Sequence, residues 1–91
     1  MSEQQGNLLY IFYAIGWDDI RGRIEKPTRY FTYPTQERWS AEKIQSTLKE
    51  IKEKYNYKVV RFSLIEKRGT KASTIENIGG WELRKFFPSQ L

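Results

Sequence analysis

Residues 8–15 read LLYIFYAI, a run in which both alternating sets of positions are apolar. β-Branched and aromatic residues on both sides mark a strand buried on at least one face. Gly16-Trp17-Asp18-Asp19 brings turn chemistry and closes that strand. Arg21-Gly22-Arg23-Ile24-Glu25 starts a return strand, which Lys26-Pro27 interrupts. Proline has no N–H to give to a ladder, so the interruption predicts a sheet edge or a bulge. Residues 28–33 (TRYFTY) resume strand character as far as Pro34.

The period then changes. Ile44, Leu48, Ile51 and Tyr55 recur at helical spacing, which predicts one amphipathic helix over Ala41–Tyr55. Ser40 is a good N-cap, Glu42 puts an acid in the first turn, and Asn56 suits a left-handed C-cap. Trp39 is placed to pack on Ile44 as a hydrophobic staple. The outer face alternates Lys and Glu, as a solvated face does.

Residues 57–67 (YKVVRFSLIEK) follow as a strand, with Val60, Phe62 and Leu64 on one face and Val59, Arg61, Ser63 and Ile65 on the other. Lys67-Arg68-Gly69-Thr70-Lys71 reads as an exposed basic turn and residues 74–78 as a short strand. Gly79-Gly80 reads as a tight turn, and residues 81–87 as a last strand ended by Pro88. The predicted fold is α+β, an antiparallel sheet of four to five strands in the order ββαββ with the helix packed on one face. The expected core is Ile11, Tyr13, Ile44, Leu48, Ile51, Val60, Phe62 and Leu64. Residues 1–7 are expected to fray, 8–87 to form the single domain and 88–91 a tail.

A chain of 91 residues has room for one core. Its hydrophobic content is only 38%, but 15% of residues are aromatic, and large rings bury enough area to compensate. Cysteine is absent, which removes disulfides, thiolate nucleophiles and zinc sites built on sulfur; a cytoplasmic home is expected. Histidine is absent too, and with it the commonest general base and metal ligand. No nucleophile–base pair, metal cluster or cofactor loop is visible, so a protein that is not an enzyme, with no cofactor, is expected. The longest apolar run, residues 8–15, is far shorter than the roughly 20 residues that span a bilayer, and no basic leader precedes it.

The net charge of +5 is unevenly spread. Residues 21–40 carry five basic groups against two acidic ones, and residues 57–91 carry seven against three. Arg21, Arg23 and Arg29 interleave with Tyr30, Phe31 and Tyr33, and such a strand pair can neutralise phosphates and stack on bases. The same pattern arises when the aromatics face the core and the arginines face solvent. Lys67, Arg68 and Lys71 could grip a phosphate backbone or simply keep a hairpin tip soluble. Asp18 and Asp19 could hold magnesium in a nuclease, with Glu66, Glu76 or Glu82 as further ligands; an Asx turn is the plainer reading. Trp17, Trp39 and Trp81 sit at element boundaries, where an indole either serves half-exposed as a binding anchor or caps the end of a small core; the cap is the reading for Trp39, and for Trp17 both stand.

The aromatic strand at residues 9–13, the glycine-containing strand at 21–24, the Lys/Glu helix and Lys58-Val59-Val60-Arg61-Phe62-Ser63-Leu64-Ile65 together resemble small uncharacterised ββαβ proteins of bacteriophages and mobile elements. The likeness covers roughly residues 8–67. It implies a phage or mobile-element origin and a role in binding.

These readings converge on a small binding protein that occludes a host protein target. The alternatives are a basic nucleic-acid-binding domain and a metal-dependent nuclease, with a small ligand as a further option. The expected partner-binding residues are Trp17, Arg21, Arg23, Arg29, Tyr30, Tyr33, Lys67, Arg68 and Lys71, on the first hairpin and a neighbouring basic turn. One helix covers one sheet face, so some of Tyr10, Phe12, Tyr30 and Tyr33 should lie on an open face. That face would be a partner surface or a homodimer seam.

Overall fold

The computed structural model describes residues 7–18 and 20–86. Its elements are β1 (Leu8–Asp18), β2 (Arg23–Thr35), α1 (Ala41–Tyr55), β3 (Lys58–Arg68), β4 (Lys71–Gly79) and a 3-10 segment, Gly80–Phe86. The strands form one sheet in the order β2-β1-β3-β4, every neighbouring pair antiparallel. This is the α+β arrangement predicted, with α1 and the 3-10 segment against one face. No helix among the described residues is long and apolar enough to cross a membrane.

The helix has the bounds that its pattern predicts. Ser40 is extended (φ −71°, ψ 165°), and its hydroxyl accepts the Lys43 N–H at 3.2 Å. Asn56 takes the left-handed conformation (φ 62°), donating its N–H to the Lys52 carbonyl at 3.1 Å while the Tyr57 N–H reaches the Ile51 carbonyl at 3.3 Å. Both ends therefore satisfy backbone groups that the helix cannot pair internally. The buried stripe is Ile44, Thr47, Leu48 and Ile51; the Thr47 hydroxyl donates back to the Lys43 carbonyl at 2.9 Å.

Strand β1 runs past residue 15, where the sequence suggests a stop. Gly16 pairs with Lys26, and a Cβ there would collide with Lys26 Cβ and lie 2.9 Å from its Cγ and 3.1 Å from its Cα. The turn comes later. Asp18 Oδ1 accepts the N–H groups of Ile20 (2.9 Å) and Arg21 (3.2 Å), and the Gly22 N–H donates to the Asp18 carbonyl at 2.7 Å. Gly22 has φ +66°, a conformation glycine adopts without steric cost. Around Pro27, β2 is both an edge strand and bulged. Between the pairs Ala14–Arg29 and Gly16–Lys26, and again between Gly16–Lys26 and Trp17–Ile24, it carries one residue more than β1.

The core lies between the sheet and α1. It comprises Tyr10, Phe12, Ala14, Phe31, Val59, Phe62 and Leu64 from the sheet, Ile44, Leu48 and Ile51 from α1, and Leu83. This corrects three expected core positions. Ile11 and Tyr13 are half-buried on the opposite face, because β1 turns its even-numbered side chains to the helix. Val60 is displaced by a bulge: Tyr13 pairs with Arg61 but Ala14 with Val59, so Val60 is the extra residue and Val59 joins the core.

The C-terminal part is also corrected. β4 spans Lys71–Gly79 rather than residues 74–78, and the fifth strand expected over 81–87 is a 3-10 segment over Gly80–Phe86. Gly80, with φ +61°, turns the chain off the sheet edge. Leu83 and Phe86 then share one side at the three-residue period and pack inward, Phe86 edge-on to Phe62 at 5.5 Å. The expectations for residues 1–6 and 87–91 lie outside the described residues.

Two substitutions test this account by urea denaturation. Ser40→Ala should lower stability by about 1 kcal/mol through loss of the cap. Gly16→Ala, though it adds a single methyl group, should cost about 1–3 kcal/mol because Lys26 Cβ, fixed to the β2 backbone, leaves no space for it. An unchanged midpoint for Gly16→Ala would show that the ladder does not continue through residue 16.

Candidate binding face

Residues directly opposite one another in the ladder share a face, so the register defines the side of the sheet away from α1. Its central row is Tyr30–Tyr13–Arg61–Gly79, one residue from each strand. The rings of Tyr30 and Tyr13 lie 5.2 Å apart, and the Arg61 guanidinium sits over the Tyr13 ring at 4.9 Å. Gly79 makes the room: a Cβ there would stand 3.2 Å from Arg61 Cγ. Toward the first hairpin, Ile15 pairs with Lys58 and Trp17 with Ile24, and Lys58 Nζ lies 5.7 Å from the Trp17 ring centre. Toward the other end come the rows Thr32–Ile11–Ser63–Asn77 and Pro34–Leu9–Ile65–Thr74. The Ser63 hydroxyl bonds Asn77 Oδ1 at 3.0 Å.

Every β1 side chain on this face is apolar or aromatic: Leu9, Ile11, Tyr13, Ile15 and Trp17, all half-buried. Tyr30 is 58% exposed and Ile24 55%. α1 lies across the opposite face, where Leu83 and Phe86 of the 3-10 segment also pack.

The residues singled out from sequence do not form one patch. Trp17 and Tyr30 are on the open face. Arg29 and Tyr33 are on the other, opposite Ala14 and Tyr10. Arg29 lies over Phe31 (4.5 Å) and Tyr55 (5.4 Å), and Phe31 itself is buried. Arg21 and Arg23 are engaged at the hairpin tip, Arg21 with Asp18 (3.9 Å) and Glu25 (3.6 Å), and Arg23 with Glu25 (2.6 Å). Lys67, Arg68 and Lys71 belong to the opposite end of the sheet. Leu8 pairs with Glu66 at one end of β1 and Asp18 with Arg23 at the other, and eleven strand residues span about 35 Å. The basic turn therefore does not neighbour the first hairpin.

Three of the five carboxylates weighed as magnesium ligands have other occupations. Asp18 caps its turn, Glu66 pairs with Arg68 at 3.2 Å and Glu76 with Arg38 at 3.2 Å. No group of three metal-ligating side chains occurs among the described residues, and Asp19 lies outside them. Tyr13, Lys58 and Arg61 are the face residues that sequence reasoning missed. The available signal was Arg61 alternating out of phase with Phe62 and Leu64 on a strand whose neighbour is apolar on both sides.

On the helix side, Tyr33 stands edge-on to Phe12 at 5.6 Å. Burial raises its hydroxyl pKa above the ordinary 10.0; Glu50 and Tyr55 add to this and Arg29 opposes it. A raised folded-state pKa contributes stability that is full below the unfolded value and lost as pH rises through the folded value. Denaturation midpoints should therefore fall above pH 10, and Tyr33→Phe should reduce that fall. An alkaline loss identical in both proteins would contradict this placement of Tyr33.

The chain was compared with protein-family models, curated proteins and solved structures, and none of them matches it.

Proposed function

We propose that this is a non-enzymatic binding module that docks another protein on the open face of its sheet and acts by covering that partner's surface. The observation that carries the reading is the Tyr30–Tyr13–Arg61 row, two tyrosines and an arginine in contact at the middle of an apolar face. Tyrosine, tryptophan and arginine dominate the energetics of protein interfaces, and they do so near the centre of the buried patch. Trp17 and the aliphatic Leu9, Ile11, Ile15 and Ile65 extend that patch on both sides. Contiguous apolar surface of this kind is uncommon on a monomer without a partner. The outer face of α1, by contrast, is a Lys/Glu mixture that water satisfies.

A nucleic-acid partner draws support from Lys58, Arg61 and Lys67 on the same face. Against it stand Leu9, Ile11 and Ile15 of β1, aliphatic positions that offer neither charge to a phosphate nor a ring to a base.

A photo-crosslinking amino acid placed at Tyr30, and separately at Lys49 on the outer face of α1, tests the reading in living cells. Position 30 should give discrete protein adducts that survive nuclease treatment and disappear when Tyr13→Ser is added; position 49 should give none. Adducts at 49 alone, or adducts at 30 that nuclease removes, would overturn it. Tyr30→Ala by itself should leave stability within about 0.5 kcal/mol of the parent.

A further inference from the structure

We infer that the surface seated on the open face presents carboxylates among apolar groups, and that a second copy of this chain is excluded from it. The inference rests on the docking reading above and concerns the chemistry of the partner.

The acidic residues that pair in the sheet's ladders all lie on one face, while cations occur on both. The charged residues paired into the open-face rows are Lys58, Arg61 and Lys67, opposite Ile15, Tyr13 and Ala72 respectively. Asp18, Glu66 and Glu76 occupy positions of the helix side, opposite Arg23, Leu8 and Leu64. Of the sheet's other arginines, Arg23 has Glu25 beside it, Arg68 has Glu66, and Arg29 lies over Phe31 and Tyr55 on the helix side. Among the described residues no carboxylate comes within ion-pair distance of Lys58, Arg61 or Lys67.

Two of these cations lie over aromatic rings within the apolar surface. Arg61 rests on Tyr13 beside the space that Gly79 leaves, and Lys58 lies over Trp17. A partner covering those rings must also desolvate the cations. That cost is recovered only if the partner brings opposite charge and hydrogen-bond acceptors to the same place. A carboxylate meets the guanidinium fork with two parallel hydrogen bonds, which a lone carbonyl does not. Two-fold self-docking fails the same requirement. Each copy would bring the same patch, with cations at its centre and no acid to meet them.

Selection of random peptides displayed on phage, with light scattering of the free protein, tests this. The wild type should be monomeric and should recover peptides rich in Asp and Glu between apolar residues. Their affinity should fall about tenfold or more on Lys58→Glu with Arg61→Glu, and by less on the milder Lys58→Gln with Arg61→Gln. It should hold on Lys49→Glu with Lys52→Glu, which changes net charge equally on α1. Retained thermal unfolding of each variant separates lost charge from lost fold.

Peptides lost on Tyr13→Ser with Tyr30→Ala, yet not acidic or indifferent to charge reversal, would overturn this inference alone. Peptides indifferent to the tyrosine pair as well would overturn the docking reading with it. A dimer that Tyr30→Ala dissociates, or displacement of the peptides by an oligouridine, would overturn the acidic protein surface as occupant.

Discussion

Tyr10 joins the two layers of this molecule. It sits at the middle of the sheet, between Tyr33 on β2 and Leu64 on β3, and is 1% exposed. Its ring stacks on Trp39 at 4.4 Å and 17°, and its hydroxyl accepts the Trp39 N–H at 3.0 Å. A buried tyrosine needs a partner for its oxygen, and here the partner is the backbone that leads into α1. The chain after β2 must therefore cross the sheet on the Tyr10 side, where Arg38 also reaches Glu76 on β4. α1 follows on that face. Among the described residues α1 is the one α-helix, and the other apolar side of β1 is left without a cover, which is the ground of the docking reading proposed above.

How much of this is legible in the sequence depends on the element. The helix is legible to its ends, because Ser40, the apolar stripe and Asn56 each carry an independent local signal. The open face is legible in principle, since both sides of residues 8–15 are apolar and one helix cannot cover both. Which side opens is not, because Ile11 and Tyr13 are as hydrophobic as Tyr10 and Phe12. The choice lies in the long-range contact between Tyr10 and Trp39. The Val60 bulge is invisible for a related reason: period two continues unbroken through Lys58–Leu64, and the slip exists only relative to β1. In the C-terminal segment, alternation at period two suggests a strand, whereas Leu83 and Phe86 share a side at period three.

The candidate site was partly legible. Trp17 and Tyr30 were identified as anchors and lie on the open face, yet Arg29, next to Tyr30, points to the other side of the same strand. Interleaving in sequence is separation in a sheet, because adjacent residues of a strand face opposite ways. The acid count over residues 21–40 does not say which cations are engaged; Asp18 and Glu25 hold Arg21, and Glu25 holds Arg23. The edges bear on the same question. β2 carries two prolines and two bulges, which prevent it from templating another strand, so contact through the broad face is the route left on that side.

The seam between β1 and β3 has a consequence for the order of assembly. The β1–β2 and β3–β4 pairs are hairpins, and α1 is closed by its own caps, so each of these pieces forms from contacts near in sequence. β1 meets β3 only across the intervening chain, Leu8 against Glu66 and Ile15 against Lys58. Loop-closure entropy makes such non-local pairing the slow part of folding. Until it is made, Tyr10, Phe12, Phe62 and Leu64 stand in water together with the face that stays open in the native state. The interval before the seam closes is therefore when the chain is most exposed to aggregation.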